Sequence, residues 1–466
     1  MSTQNMTTDN LEKLFLDGNA LMNSGDFDAA EQCFLTALTI DAQCGEVIAN
    51  LAYLHEQRSN FIEAEKFYRQ ALRLLPQTIQ IYLNYGVMLI KQKRFADAEL
   101  TYQTALQIAP ETPSTWSNYG VLLACTHRES EAEECYRKAL SIDASYRKAR
   151  FNLSYILLRQ GRYEEGFFCL ESRDWQDLFT SYFHFPRWQG ESLQSKSIVI
   201  CFEGGHGDMI QFCRYASELK ARGASKVSII CHPALTELFA RMRDVDEVYS
   251  YELDVAKSAW DFWTPAISLP YCCGTRLATI PAALPYVSAN PDKVAAFSTL
   301  FSSDQFKVGI VWQGNTLFEN NEDRSVAQLE ILRPILEVAG IQFISLQKGA
   351  GEVQVREYNG TALLAGGDLI QNFSDTAAII AHLDLVISVD TSVAHLAGAL
   401  AKPCWVLLPE YRTDWRWLKY RLDSPWYPEV MRLFRQMPDE DWSAVAHRVA
   451  LALEMWKAEQ LLNLNK

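Results

Sequence analysis

A period of 34 residues constrains this 466-residue chain more than any other feature. Gly18, Ala52, Gly86, Gly120 and Ser154 stand 34 apart, as do Ala30, Ala64, Ala98 and Ala132. The same spacing relates Phe34, Tyr68, Tyr102 and Tyr136, and again Ala37, Ala71, Ala105 and Ala139. Small residues at fixed positions let paired helices approach, the aromatic fills the gap between units, and Pro76 and Pro110 stop the second helix. Such a unit cannot bury its apolar face alone, so the units must stack into a solenoid. Four full repeats are expected. A fifth starts at Arg147, keeps Gly161 and Tyr163, and then degenerates, as expected where a solenoid docks onto another domain.

This is the tetratricopeptide pattern. It carries one further ladder, Asn50, Asn84, Asn118 and Asn152, on the first helix of each pair. An amide has donors and an acceptor, so the ladder could hold a peptide main chain without reading its sequence. The other reading is that asparagine is simply common at this position. Under either reading the concave surface implies a protein partner.

Beyond the repeats, a loop-like stretch from Ser181 to Ser195 leads into alternating strands and helices. Strands are expected at Ser197–Phe202, Val227–Cys231, Lys307–Trp312, Ile341–Leu346, 385–389 and, last, Cys404–Leu408. Helices are expected at Met209–Arg222, Ala234–Arg243, Val326–Ala339 and 377–383. This alternation implies parallel sheets covered on both faces. The proline-bearing linker Pro281–Phe301 separates two sets, and two such halves facing each other leave a cleft at the carboxyl ends of both sheets.

Two turns hold the chemistry. Leu385 to Val389 is a buried-strand pattern that runs into Asp390, Thr391 and Ser392, all helix-capping types, and then into a small-residue helix. A helix start at the end of a parallel strand offers free N–H groups and partial positive charge to a phosphate or diphosphate. His395 lies within the first turn of that helix. In the other half, Glu203-Gly-Gly-His-Gly-Asp208 follows the first strand. Gly205, His206 and Gly207 partly match a dinucleotide fingerprint. Ile210 replaces its third glycine, however, and Cys231-His232 stands where the ribose-binding acid would be. The glycines are better read as allowing close approach to a ligand, with Asp208 either a helix cap or a general base. Asp244-Val-Asp246 could hold a divalent cation beside a sugar diphosphate, but it is expected on a surface loop with too few converging oxygens.

The formal charge of −14 leaves no basic footprint for nucleic acid. Met1–Asn10 is polar and no run approaches the length of a membrane span, so neither a signal peptide nor a spanning helix is expected. Eleven irregularly spaced cysteines without a C-x-x-C pair suggest reduced core residues and a cytoplasmic setting.

From about Phe185 to Gln436 the chain resembles the heptosyltransferase-like bacterial glycosyltransferases of the GT-B fold, in the branch fused to N-terminal tetratricopeptide repeats. The matching pieces are Glu203–Phe212, Gly309–Asn315, Ser345–Gly349, Ser388–Ala399, and Pro409–Trp417 with its Asp414-Trp-Arg-Trp. One departure is visible. The family's first loop more often reads Glu-Gln-Gly-Leu-Gly-Asp, whereas Gly204 and His206 replace its Gln and Leu here.

The resemblance implies an all-α repeat superhelix over 1–180, followed by two facing Rossmann-like domains. These are an acceptor-side half at 181–300 and a donor-side half at 301–440, with a C-terminal helix at 441–466 that packs back across the halves. It implies an inverting transfer from a nucleotide-sugar to Ser or Thr hydroxyls of a protein such as flagellin, without a metal or other cofactor. Asp208 would be the base. Gln313, Asn315, Arg324, Lys348, Asp390, Thr391, Ser392 and His395 would hold the donor and its phosphates. A glycan acceptor and an inactive repeat scaffold stand as alternatives, and self-association through the repeats is left open.

Overall fold

The computed structural model describes residues 3–174, 180, 182–252, 260–301, 305–318, 320–360 and 363–464. Ser181, the expected boundary residue, lies outside them. The chain divides into two compact units, Met1–Leu153 and Ser154–Lys466.

The first unit is built of helix pairs: α1 (Thr3–Asn23) with α2 (Phe27–Ile40), α3 (Gly45–Gln57) with α4 (Phe61–Leu74), α5 (Ile79–Lys91) with α6 (Phe95–Ile108), and α7 (Pro113–Cys125) with α8 (Glu129–Ile142). α9 (Arg147–Arg159) runs across the division, and α10 (Tyr163–Leu170) belongs to the second unit. The repeated glycines act as the spacing suggests. A Cβ on Gly120 would stand 2.6 Å from Tyr136 Cε1, and one on Gly18 would stand 2.5 Å from Phe34 Cε1. The buried alanines and aromatics of the period form the core between layers.

Two further regularities emerge only in the structure. The turn inside each pair puts one residue in the left-handed region: Gly25, Ser59, Lys93, His127 and, in the second unit, Gly161. The conformation repeats every 34 residues while glycine does not. Glu65 and Glu99 accept from Arg94 and Arg128 of the next pair, each at 2.7 Å, and from Tyr85 and Tyr119 at 2.8 and 2.9 Å.

The second unit holds two all-parallel sheets. The first contains β1 (Ser197–Cys201), β2 (Lys226–Cys231), β3 (Glu247–Ser250) and β4 (Phe262–Pro265) in the order β3-β2-β1-β4. The second contains β5 (Phe306–Val311), β6 (Ile341–Ser345), β7 (Leu363–Leu364), β8 (Leu385–Val389), β9 (Cys404–Leu408) and β10 (Met431–Arg435), in the order β10-β9-β8-β5-β6-β7. Read from β7, this is the doubly wound order 3-2-1-4-5-6. The order reverses between β1 and β4 in one sheet and between β5 and β8 in the other, and a ligand crevice opens at such reversals, beyond the carboxyl ends of the strands.

Several expectations need correction. Cys404–Leu408 is not the last strand, since β10 pairs along it, and β3, β4 and β7 have no counterpart among the expected strands. These strands are short, and Pro265 ends β4, so periodicity gives them little signal. The helix expected over Met209–Arg222 is two, His206–Phe212 and Tyr215–Ala221. It breaks where the Ala216 N–H turns to Cys213 O at 3.0 Å and Arg214 is drawn to Trp426 O at 2.5 Å. Ala234–Arg243 and Val326–Ala339 shrink to short turns, Thr236–Phe239, Leu329–Leu332 and Arg333–Leu336, whose apolar residues pack without needing long helices. The C-terminal helix Trp442–Leu464 buries Val445, Ala446, Val449 and Leu453 in the core of the second sheet, with Trp405 and Leu332. That core is where its apolar face goes, rather than across the two halves.

Candidate functional site

The glycine-rich loop leaves the carboxyl end of β1 and starts the helix His206–Phe212. Gly204 has φ +70, and a Cβ there would stand 2.4 Å from Asp208 Oδ2, so glycine at 204 lets the loop close on the Asp208 carboxylate without strain. Asp208 Oδ2 accepts the Gly205 N–H at 2.7 Å, which caps the helix; its Oδ1 pairs with Arg416. Glu203 faces the other way. It is buried and holds Arg173 at 2.5 and 2.9 Å and the Ile267 N–H at 3.1 Å, tying the ends of β1 and β4 together.

From the second sheet, Thr391 begins the helix Ser392–Ala399. Its hydroxyl bonds Ser388 Oγ at 2.9 Å and makes no cap bond, leaving the first helical N–H groups without a side-chain partner there. The two helix starts meet: a Cβ on Gly207 would stand 3.4 Å from Ser392 Cα and 3.0 Å from His395 Cδ2. Asp208 and the Asp390–His395 turn, 182 residues apart between Asp208 and Asp390 (390 − 208), thus share one locality.

Charge is concentrated around this junction. Arg416 Nε donates to Gln211 Oε1 at 2.5 Å, Nη1 reaches both Asp414 oxygens at 3.1 Å, and Nη2 pairs with Asp208. Withdrawal from water pushes the Asp390 carboxyl up to about 6, and the Asp414 charge adds to this against Trp417, Arg324 and Arg416. His395 is buried, stacks on Trp417 at 5.4 Å, and meets Tyr427 Oη through Nδ1 at 2.8 Å. Burial, followed by the Arg416, Arg214 and Arg324 charges, holds it well below the usual imidazole range, so it is neutral. Its contacts are those of a wedge between the two helices.

The remaining donor-side candidates separate. Arg324 stacks over Phe318 at 4.2 Å, its buried Nε has no hydrogen-bond partner, and its charge acts on both Asp390 and His395. Gln313 turns its amide to Ala327 O at 2.8 Å, and Asn315 Oδ1 accepts the Leu317 N–H at 3.0 Å in a local turn. Lys348 is exposed, donating to Gly367 O at 3.0 Å and pairing with Glu352 at 3.3 Å. In the other half, Asp246 accepts the Val227 N–H at 2.7 Å and pairs with Lys220 at 2.6 Å.

His206 lies against His232 (ring centroids 4.6 Å apart) and Phe373 (5.0 Å), beside Phe202 and Tyr251 at the ends of β1 and β3. Burial and the neighbouring His232 lower His206 to about 4, so this wall is uncharged at neutral pH.

Four residues inside the matching segments have no role expected of them yet belong to the site or support it: Arg416, Asp414, Gln211 and Gln347. Gln347 is buried and clamps the loop after β5, accepting the Trp312 and Gln313 N–H groups at 3.1 and 3.0 Å and donating to Gln313 O at 3.1 Å. One signal was available for Arg416. An arginine between two tryptophans is suited to burial against rings, and Arg416 lies over Trp415 at 4.6 Å and Phe212 at 5.5 Å.

In the first unit, Asn50, Asn84, Asn118 and Asn152 sit half-buried on α3, α5, α7 and α9. Asn50 Nδ2 donates to Asn19 Oδ1 at 2.6 Å, Asn84 Oδ1 accepts from Gln80 at 2.7 Å, and Asn152 Nδ2 donates to Ser117 Oγ at 3.5 Å. Each of these three amides therefore keeps its other atom uncommitted among the described residues. Among the described residues no group of three or more His, Cys, Asp or Glu could hold a metal ion, and no helix is long and apolar enough to cross a membrane. None of the eleven cysteines is in a disulfide.

Residues 15–79, 50–113 and 130–167 match the tetratricopeptide repeat family, so this part of the chain carries a protein-interaction scaffold. The chain is 28% identical over 334 residues to Protein FlbA of Caulobacter vibrioides (strain ATCC 19089 / CIP 103742 / CB 15), covering 66% of this chain and 55% of that protein. It therefore spans about half the length of this relative. Among solved structures it is similar to one described as a functional characterization of Pseudomonas aeruginosa pilF (21% identity, 36% of this chain and 76% of that one, TM-score 0.34). It is also similar to TTC0263, a thermophilic TPR protein in Thermus thermophilus (21% identity, 37% and 96%, TM-score 0.33).

Proposed function

We propose that the second unit is an inverting, metal-independent glycosyltransferase of the GT-B type, acting on a polypeptide bound by the repeats, with flagellin as the acceptor that the sequence resemblance implies. The observation that carries this reading is the meeting of the two loops, with Gly207 packed on Ser392 and His395 and Asp208 beside them. Asp208, held by the Gly205 N–H and Arg416, would accept the proton of a Ser or Thr hydroxyl. The Ser392 helix start and Arg324, whose buried Nε lacks a partner, would face the donor diphosphate. Closure of the loop through Gly204 favours an intact site over a decayed one, since the departure from the family's pattern falls where φ is +70.

Incubation of the chain with a panel of nucleotide-sugars and bacterial protein, followed by mass spectrometry, tests the reading. Polypeptides gaining one sugar mass, and losing it with Asp208→Ala, are expected. Labelled glycolipid alone would reassign the acceptor, and no transfer with any donor would contradict the proposal.

A further inference from the structure

We propose that Arg416 is the fixed cation of this transfer, positioning Asp208 and facing the diphosphate as it departs; the inference rests on the function proposed above. Its side chain is only 11% exposed, and its fork is fixed from both halves of the unit. Gln211 and Asp208, three residues apart on one short helix, hold Nε and Nη2, while Asp414 of the other half holds Nη1. The ring of Trp415 packs over it at 4.6 Å. The next residue, Trp417, stacks on His395 at 5.4 Å, and Gly207, the neighbour of Asp208, packs on the same His395 and on Ser392 at the start of the diphosphate-facing helix. Arg416 therefore stands at the junction of the candidate base and the candidate leaving-group seat.

The charge balance of the reaction explains why a fixed cation belongs there. The acceptor O–H proton passes to the Asp208 carboxylate, and the hydroxyl oxygen bonds the anomeric carbon. The bond from that carbon to the diphosphate oxygen breaks, and its electron pair leaves with the nucleoside diphosphate. One negative charge disappears at Asp208 and one appears on the phosphate. A guanidinium held between them keeps a counter-charge throughout and favours the transition state, where the migration is under way. The two bonds Asp208 already accepts leave each of its oxygens a further lone pair for the proton.

Arg416→Met and Arg416→Lys test this with the donor that gives turnover, reading kcat and KM separately and following folding by thermal melting. Arg416→Met should lower kcat roughly 100- to 1,000-fold with a much smaller rise in KM. Added guanidinium should restore part of kcat. Arg416→Lys keeps the charge but not the fork, so it covers the case in which the methionine variant misfolds; its kcat should fall about 10-fold or more, since a compact ammonium does not reproduce the planar fork that spans Gln211, Asp208 and Asp414. Wild-type kcat in these folded variants, with Asp208→Ala inactive, would overturn the inference and leave the proposed function standing. A fall in melting temperature and active fraction alone, without a kcat effect or guanidinium rescue, would also overturn it. Absence of transfer by the wild-type chain would overturn both.

Discussion

The two units use charge in opposite ways. In the solenoid, Glu65–Arg94 and Glu99–Arg128 are half-buried pairs between neighbouring repeats, each partner 29 residues from the other. In the α/β unit, Arg173, Glu203 and Arg416 are buried or nearly so and Asp208 is half-buried, each arginine has several acceptors, and the Arg416–Asp208 pair spans 208 residues of sequence. A pair that water still reaches exchanges water for a partner at little net gain, whereas a buried one leaves a stranded charge when broken. The Glu65–Arg94 and Glu99–Arg128 pairs are therefore a repeated detail of the solenoid. Those of the α/β unit fix its geometry.

The largest effect that would sharpen this contrast is at Arg173. Arg173→Met strands the buried Glu203 carboxylate and should cost about 3–5 kcal/mol in the urea unfolding of the second unit. A cost below about 1 kcal/mol would place this pair with the solenoid's. A smaller effect is expected from Asp390. Its folded carboxyl titrates at about 6, above the ordinary 3.8, so the folded chain holds the proton more tightly than the unfolded chain. That contribution is complete below about pH 4 and is lost as pH rises through about 6. Urea midpoints measured from pH 4 to 7 should fall over this window, and the fall should flatten in Asp390→Asn; an unchanged slope in the variant would exclude Asp390 as its source. The smallest effect belongs to the ladder. Arg128→Ala should change stability by less than about 1 kcal/mol and lose most of that effect in high salt, because water still reaches the pair and Tyr119 still donates to Glu99. A salt-independent cost would break the contrast.

The same difference governs what can be read from the chain. The solenoid is legible because its contacts recur: Gly120 meets Tyr136 within one repeat, and the period displays every such pair together. Even there, the left-handed turns are hidden, since Ser59, Lys93 and His127 adopt a conformation that their residue types do not advertise. In the α/β unit, β1, β2, β5, β6, β8 and β9 are legible as apolar runs, and Asp208 and the Asp390–His395 turn as loops at strand ends. What stays hidden depends on tertiary pairing. Nothing local to Arg416 specifies Asp208 and Gln211 as its partners, and nothing local to Gln347 marks it as the clamp on the loop after β5. The break at Cys213–Arg214 likewise follows from the pull of Trp426, more than 200 residues away.

Everything proposed for the α/β unit depends on the β1 loop and the β8 turn making a single site. Co-crystallisation with the nucleoside diphosphate of the active donor puts this to the test. Its phosphates should lie against the first N–H groups of the Ser392 helix, within hydrogen-bond reach of Arg324 or Arg416 and close to Asp208. A nucleotide bound at another surface, with both loops unoccupied at saturating ligand, would contradict the single site.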